Sequence, residues 1–249
     1  MRLKGMITIL MLMSLLLPSE AVFARKKSSS ASDCDSEMYT CMRVKRNQSW
    51  ESLFPDERER EIVMRVNHRN SQLWTGLKIK IPNNLETADL LDFSPFPLQI
   101  EPPEEKLVVF DPKLHAWGAY EADGALVRWG PATGGKNWCN DIDESCLTKA
   151  GRFRIYSMGD SSCISSKFPM PDGGAPMPYC MYFHGGQAFH GSPGGVMRGN
   201  ASHGCVRMFV RDAEWMRYEF IDPPDEYNSY RGTQVIVLPY ESSTLSDNS

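Results

Sequence analysis

The sequence predicts a mainly β protein: a small α+β module followed by a larger β-rich domain. Three observations carry this. From about residue 106 to residue 240, short runs alternate apolar and polar positions between turn signals such as Asp111-Pro112 and Asp123-Gly124. That region holds only one stretch of clear helical period, "VRDAEWMRYEFID", with Val210, Ala213, Trp215, Met216 and Phe220 on its apolar side. Ahead of it, "PDEREREIVMRVNHRN" has helical spacing and "LKIKIP" reads as an alternating strand stopped by proline.

In chain order, Arg2 and Lys4 precede the apolar run "MITILMLMSLLLP", and "AVFA" closes at Ala24. Charge, short apolar run and small residues are the order of a secretory signal peptide, assigned to residues 1–24. The run is too short to cross a bilayer comfortably, so no stable membrane insertion is expected after cleavage; an uncleaved anchor is the other reading. "RKKSSSASD" begins a polar, flexible linker over 25–37. The α+β module covers 38–84, in the order strand, helix, strand. Residues 85–105 carry prolines at 95, 97, 102 and 103 and predict a stiff, extended connection. Strands are then expected in "KLVVFD", "HAWGAYE", "ALVRWGPAT", "GRFRIYSM", "YCMYFHGGQAFHG" and "TQVIVLP", and residues 241–249 form a disordered tail.

The net charge of -4 disfavours a nucleic-acid partner. Export changes how the seven cysteines are read. Pairing between sequence neighbours gives Cys34–Cys41, Cys139–Cys146 and Cys163–Cys180, although spacing alone does not settle connectivity. Cys205 is then left over, and an odd cysteine in an exported protein is either reactive or paired between molecules. A zinc site is the rival explanation for clustered cysteines, but no C-x-x-C pair occurs, so metal spacing is absent and no metal site is expected; no cofactor is expected either.

Cys205 lies in "FHGSPGGVMRGNASHGCVRM". A thiol needs a base or a positive field to act as a nucleophile. His190 precedes it by a glycine-rich loop that can fold back. In an extended segment His203, Cys205 and Arg207 share one face. Gly204 lets a substrate carbonyl approach backbone N–H groups. Singly, each residue has a bland reading, as a buried thiol or a turn histidine; together they point to a cysteine-nucleophile site.

Two resemblances extend this reading. "SWESLFP", "VNHRN" and "LWTGLKIKIP" resemble the lysin motif (LysM) family in its aromatic start, central asparagine and closing strand. The likeness implies a wall-binding module with glycan strands as ligand; Trp50 and Trp74 then either stack on sugars or fill a small core. "HG" at His190-Gly191 followed by "SHGCVRM" at Ser202 to Met208 resembles the signature of the L,D-transpeptidase catalytic domain family, over about residues 106–240.

That resemblance implies a β-sandwich of two mixed sheets with one or two helices. It implies Cys205 as the acylated nucleophile, His190 as general base, and the Gly191 carbonyl as the group orienting His190. His203, Gly204 and Ser202 belong to the oxyanion and substrate-binding region, with Arg207 beside a substrate carboxylate. The implied partners are peptidoglycan stem peptides in the periplasm. The thiolate attacks the carbonyl at the L-centre of meso-diaminopimelate, expels D-alanine, and a second stem amine resolves the thioester into a 3–3 cross-link. Water as acceptor gives an L,D-carboxypeptidase, and a protein side chain gives an anchoring enzyme. A cysteine peptidase on another substrate and a non-catalytic wall-binding protein are the readings outside this class.

Overall fold

The computed structural model describes Cys34 and residues 36–240. The expected signal peptide, the tail and most of the first linker lie outside the described residues. Among the described residues no helix is long and apolar enough to cross a membrane.

The N-terminal module pairs β1 (Tyr39–Arg43) antiparallel with β2 (Lys78–Pro82), and between them run α1 (Trp50–Leu53) and α2 (Glu57–Val66). Both helices start on side-chain caps. Ser49 and Ser52 bond reciprocally at α1, and Asp56 accepts from the Glu59 N–H at α2. The apolar stripe of α2 divides its burial. Val63 joins Trp50, Phe54, Leu73 and Ile79 in one small core, while Ile62 and Val66 join Tyr39 and Ala88 in another. Asn67 ties the helix end to β2: its amide donates to Val63 O and Lys80 O, and its carbonyl accepts from Lys80 N. Trp50 is a core residue at 4% exposure, whereas Trp74 is 51% exposed with the Arg69 guanidinium 4.5 Å from its ring centroid.

The larger domain contains β3 (Leu107–Asp111), β4 (Ala116–Tyr120), β5 (Leu126–Thr133), β6 (Gly151–Arg154), β7 (Ser157–Met158), β8 (Met181–His184), β9 (Gln187–Gly191), β10 (Val206–Met208), α3 (Val210–Trp215) and β11 (Gln234–Val237). These strands form one nine-stranded mixed sheet in the order β6-β11-β3-β4-β5-β10-β9-β8-β7. The two mixed sheets implied by the resemblance are its two halves, joined where β5 pairs β10. The sheet curls so that both halves feed one core: Val108, Phe110, Trp117, Val235 and Val237 from one, Met181, Phe183, Phe189, Val206 and Met208 from the other. Phe153 on β6 meets Phe183 on β8 with centroids 5.7 Å apart, so the far strands approach each other across that core. The predicted helix is α only to Trp215 and continues as a π turn over Met216–Phe220.

The 85–105 segment, expected as a stiff, extended connection, also packs: Phe96 (3% exposed) and Ile100 (6%) sit in a second core with Leu107, Val109, Tyr120, Leu126 and Trp129. The successive β3 residues explain why. Val108 and Phe110 face the inner core and Leu107 and Val109 the outer one, so both faces of the strand need cover. The prolines keep this segment from becoming a regular strand, and it meets the sheet only at a short bridge of Gln99 with Ala125, where Leu98 O accepts from Leu126 N and Ile100 N donates to Gly124 O.

The module docks on the domain through charge. Arg65 is fully buried; its Nη1 and Nη2 reach Asp212 Oδ2 and Oδ1 at 2.9 and 2.6 Å, and Nη1 also donates to Trp129 O. Glu61 accepts from Arg65 Nε at 3.1 Å and pairs with Arg128 and Arg211. Gly130 leaves the space for this pair, since a Cβ there would collide with Arg65 Nη1 and stand 2.8 Å from Asp212 Oδ2.

Candidate active site

The site begins with the parallel pairing of β9 and β10, in which Phe189 faces Val206 and His190 faces Arg207. Phe189, Val206 and Met208 enter the inner core. Pleat alternation therefore turns His190 and Arg207 to the other side, where they line a cleft of about 640 Å³ together with Ser202, His203 and Cys205. His190 is also almost fully buried, at 5% exposure.

Alternation does not account for His203. Strand β10 starts only at Val206, and Gly204 has φ +113, a conformation that suits glycine. A Cβ at Gly204 would also stand 2.8 Å from Gln187 Nε2. His203 thus reaches the cleft through a turn, and Ser202 holds that turn: its Oγ accepts from Gly204 N at 3.0 Å and donates to Cys205 O. The Gly204 N–H expected at the oxyanion region is consequently already occupied. Thr148 Oγ1 donates to the Gly204 carbonyl at 2.9 Å and completes the support.

His190 Nδ1 lies 2.8 Å from Gly191 O. A carbonyl only accepts, so Nδ1 carries the proton and Nε2 is left with its lone pair. Burial pushes this imidazole down to about 4, and the Arg207 charge adds to the shift against the opposing Gly191 hydrogen bond. Burial likewise pushes the Cys205 thiol up, while the Ala188 backbone and Arg207 pull it partly back. At neutral pH Cys205 therefore rests as an uncharged thiol, its Sγ 3.9 Å from Gly186 O, and His190 as an uncharged imidazole in the same cleft. Arg207 makes no ion pair among the described residues.

Three disulfides, Cys34–Cys41, Cys139–Cys146 and Cys163–Cys180, leave Cys205 as the free thiol. Two of them close loops at the cleft rim, whose lining includes Ile142, Glu144, Ser165, Lys167 and Phe168. Sequence reasoning missed Asp141 and Phe168, both of which touch His203. A carboxylate inside the short "CNDIDESC" ring was the one available signal for Asp141.

Between the histidine and the thiol, the loop after β9 is held by the N-terminal module. Asn70 N donates to Val196 O at 3.3 Å, and Asn70 Oδ1 accepts from Val196 N at 2.7 Å. Ser192, Pro193 and Gly194 of the same loop line the cleft.

A curled mixed sheet presents a thiol, an oriented imidazole and an arginine in one cleft, the groups that nucleophilic chemistry at sulfur requires. The family comparison is specific: residues 105–237 match the L,D-transpeptidase catalytic domain (YkuD), and the chain belongs to that family. The match leaves the N-terminal module outside. No curated protein matches the chain. Among solved structures, it is similar to an L,D-transpeptidase from Xylanimonas cellulosilytica at 28% identity, covering 53% of this chain and 60% of that one, with a TM-score of 0.42. An L,D-transpeptidase from Mycobacterium smegmatis aligns at 21% identity over 54% and 59% of the two chains, TM-score 0.42. One from Stackebrandtia nassauensis aligns at 20% identity over 57% and 58%, TM-score 0.42. The chain thus spans about three-fifths of each of these proteins.

Proposed function

We propose that this protein is a peptidoglycan L,D-transpeptidase that forms 3–3 cross-links through a thioester on Cys205. The observation that carries the reading is the convergence of the one unbridged cysteine with His190, an imidazole whose proton is parked on Nδ1 by Gly191 O. His190 Nε2 takes the thiol proton as sulfur attacks the stem-peptide carbonyl. The amide C–N bond then breaks, and the same proton leaves with the D-alanine amine. An amine of a second stem attacks the thioester, loses its proton to His190, and the thiol is restored. The Cys205 N–H stabilises the developing oxyanion, the His203 ring borders it, and Arg207 receives a substrate carboxylate.

Three disulfides fit an oxidising compartment, and with the signal-peptide pattern of residues 1–24 they support export to the envelope. For the N-terminal module the reading is glycan binding, with exposed Trp74 as the stacking face.

The test is incubation with a carbapenem followed by intact-mass measurement. A stoichiometric adduct is expected with the natural chain and none with Cys205→Ala. Muropeptide analysis after incubation with sacculi then reads the acceptor: 3–3 dimers support the proposal, and tripeptides alone make the enzyme an L,D-carboxypeptidase. Binding to sacculi without any adduct would make it a non-catalytic wall protein.

A further inference from the structure

His203 precedes the turn that carries Cys205, yet its ring is gripped by two segments far away in the chain. Its Nε2 lies 2.7 Å from Asp141 Oδ2. Its ring stacks on Phe168 with centroids 4.3 Å apart and an interplanar angle of 29°. Asp141 stands inside the loop closed by Cys139–Cys146, and Phe168 inside the loop closed by Cys163–Cys180. A ring nitrogen of His203 and the sulfurs of Cys139 and Cys146 lie within 4.8 Å of one another. Those sulfurs are bonded to each other, so the cluster is no thiolate metal site and serves instead as a wall beside the imidazole.

The chemistry of the contact fixes a proton. Desolvation is the largest single effect on the Asp141 carboxyl and pushes it up, but the His203 hydrogen bond, the local backbone and nearby positive charge together outweigh it and hold the carboxyl below its usual range. An ionised carboxylate only accepts, so His203 carries a hydrogen on Nε2. Stacking on Phe168 fixes the plane in which that hydrogen lies.

We propose that Asp141 is a positioning residue for acyl transfer: it holds His203 in the Nε2–H form against Phe168 and so fixes the imidazole edge presented beside Cys205. The proposal rests on the reading of Cys205 as the acylated nucleophile. The alternative is that Asp141 makes an ordinary surface ion pair of little consequence.

Two measurements on the full chain decide between these. Long-range ¹H–¹⁵N spectra of the five histidines, with His203 assigned through His203→Gln, report the tautomer directly. Carbapenem acylation followed by mass gives a saturating rate and a half-saturation concentration. Wild type should show a protonated Nε2. In Asp141→Ala that nitrogen should average between protonated and bare, and the saturating rate should fall about 10- to 100-fold with half-saturation moved less than about threefold. Asp141→Asn keeps an acceptor oxygen, so it should keep the tautomer and stay within about threefold of the wild-type rate. An unchanged His203 spectrum in Asp141→Ala, a wild-type rate in that variant, or equal losses in Asp141→Ala and Asp141→Asn would overturn the proposal. If wild type takes no acyl group while the spectrum responds to Asp141→Ala, the assignment of Cys205 fails and the grip on His203 stands.

Discussion

Arg65 and Asp212 form a two-pronged ion pair with neither side chain exposed to solvent, and one partner comes from each part of the protein. Glu61 and the Trp129 carbonyl take further N–H groups of the guanidinium. Removing either partner leaves the other charge buried with only part of its pairing, Glu61 for Arg65 and Arg128 for Asp212, which costs more than the pair contributes. Arg65→Ala or Asp212→Asn should lower unfolding free energy by about 3–5 kcal/mol, read from urea denaturation. A loss under about 1 kcal/mol would mean that water reaches the pair.

The Asn70–Val196 clamp predicts a different signature. Asn70→Ala removes the short side-chain bond and leaves the Val196 N–H without its partner, a cost of about 1–3 kcal/mol. The local effect should exceed the global one. Hydrogen exchange across residues 192–200 should accelerate by at least tenfold, and carbapenem acylation should slow severalfold because that loop lines the cleft.

Burial of His190 predicts how stability varies with pH. Its folded value of about 4 lies below the unfolded value near 6.5, so the unfolded chain binds the extra proton between these limits. The stabilisation from keeping this ring neutral is complete above about pH 6.5 and is lost as pH falls toward 4. His68, pushed by burial and by Arg198 to about 4, acts in the same sense. From His190 alone the loss is on the order of 3 kcal/mol. Urea midpoints at pH 7, 5.5 and 4.5 should fall in that order, and His190→Gln should flatten the slope.

Acylation should follow the same ring. A base must be neutral to accept the thiol proton, so the acid limb of the acylation profile should lie near pH 4 instead of near 6.5. Direct alkylation of Cys205 by iodoacetamide depends on the free thiolate, which burial disfavours. It should be slow at pH 7 and rise only on the alkaline side of about 8.5. Fast alkylation at pH 7 would mean that a thiolate–imidazolium pair already exists at rest.

Opening the Cys139–Cys146 ring should slow acylation without unfolding the protein, because it loosens the segment that holds Asp141. The double replacement Cys139→Ser, Cys146→Ser should reproduce the kinetic defect of Asp141→Ala. A wild-type acylation rate in the double variant would show that the loop keeps its shape unaided.

Alternation and turn pairs made the β-rich domain legible. "LVVFD" and "AWGAY" are strands with both faces covered, as their nearly unbroken apolar runs suggest. Cys205, His190 and Arg207 were legible because a short local motif brackets them and β9–β10 pairing unites them. Asp141 and Phe168 were not, because they approach His203 through loops whose paths no periodicity encodes. The prolines of 85–105 were incomplete for a related reason. They report that a segment forms no regular strand, and say nothing about whether Phe96 and Ile100 beside them are covered.

Phe96 and Ile100 also decide where the chain can be cut. Severing it at Lys106, the border that the catalytic signature suggests, would strip the outer face of β3 and β4 and leave Leu107, Val109 and Tyr120 open to aggregation. With Arg65 anchored beyond that border, both regions should share one cooperative transition, and calorimetry should record a single endotherm. Two pieces by motif should then melt as one.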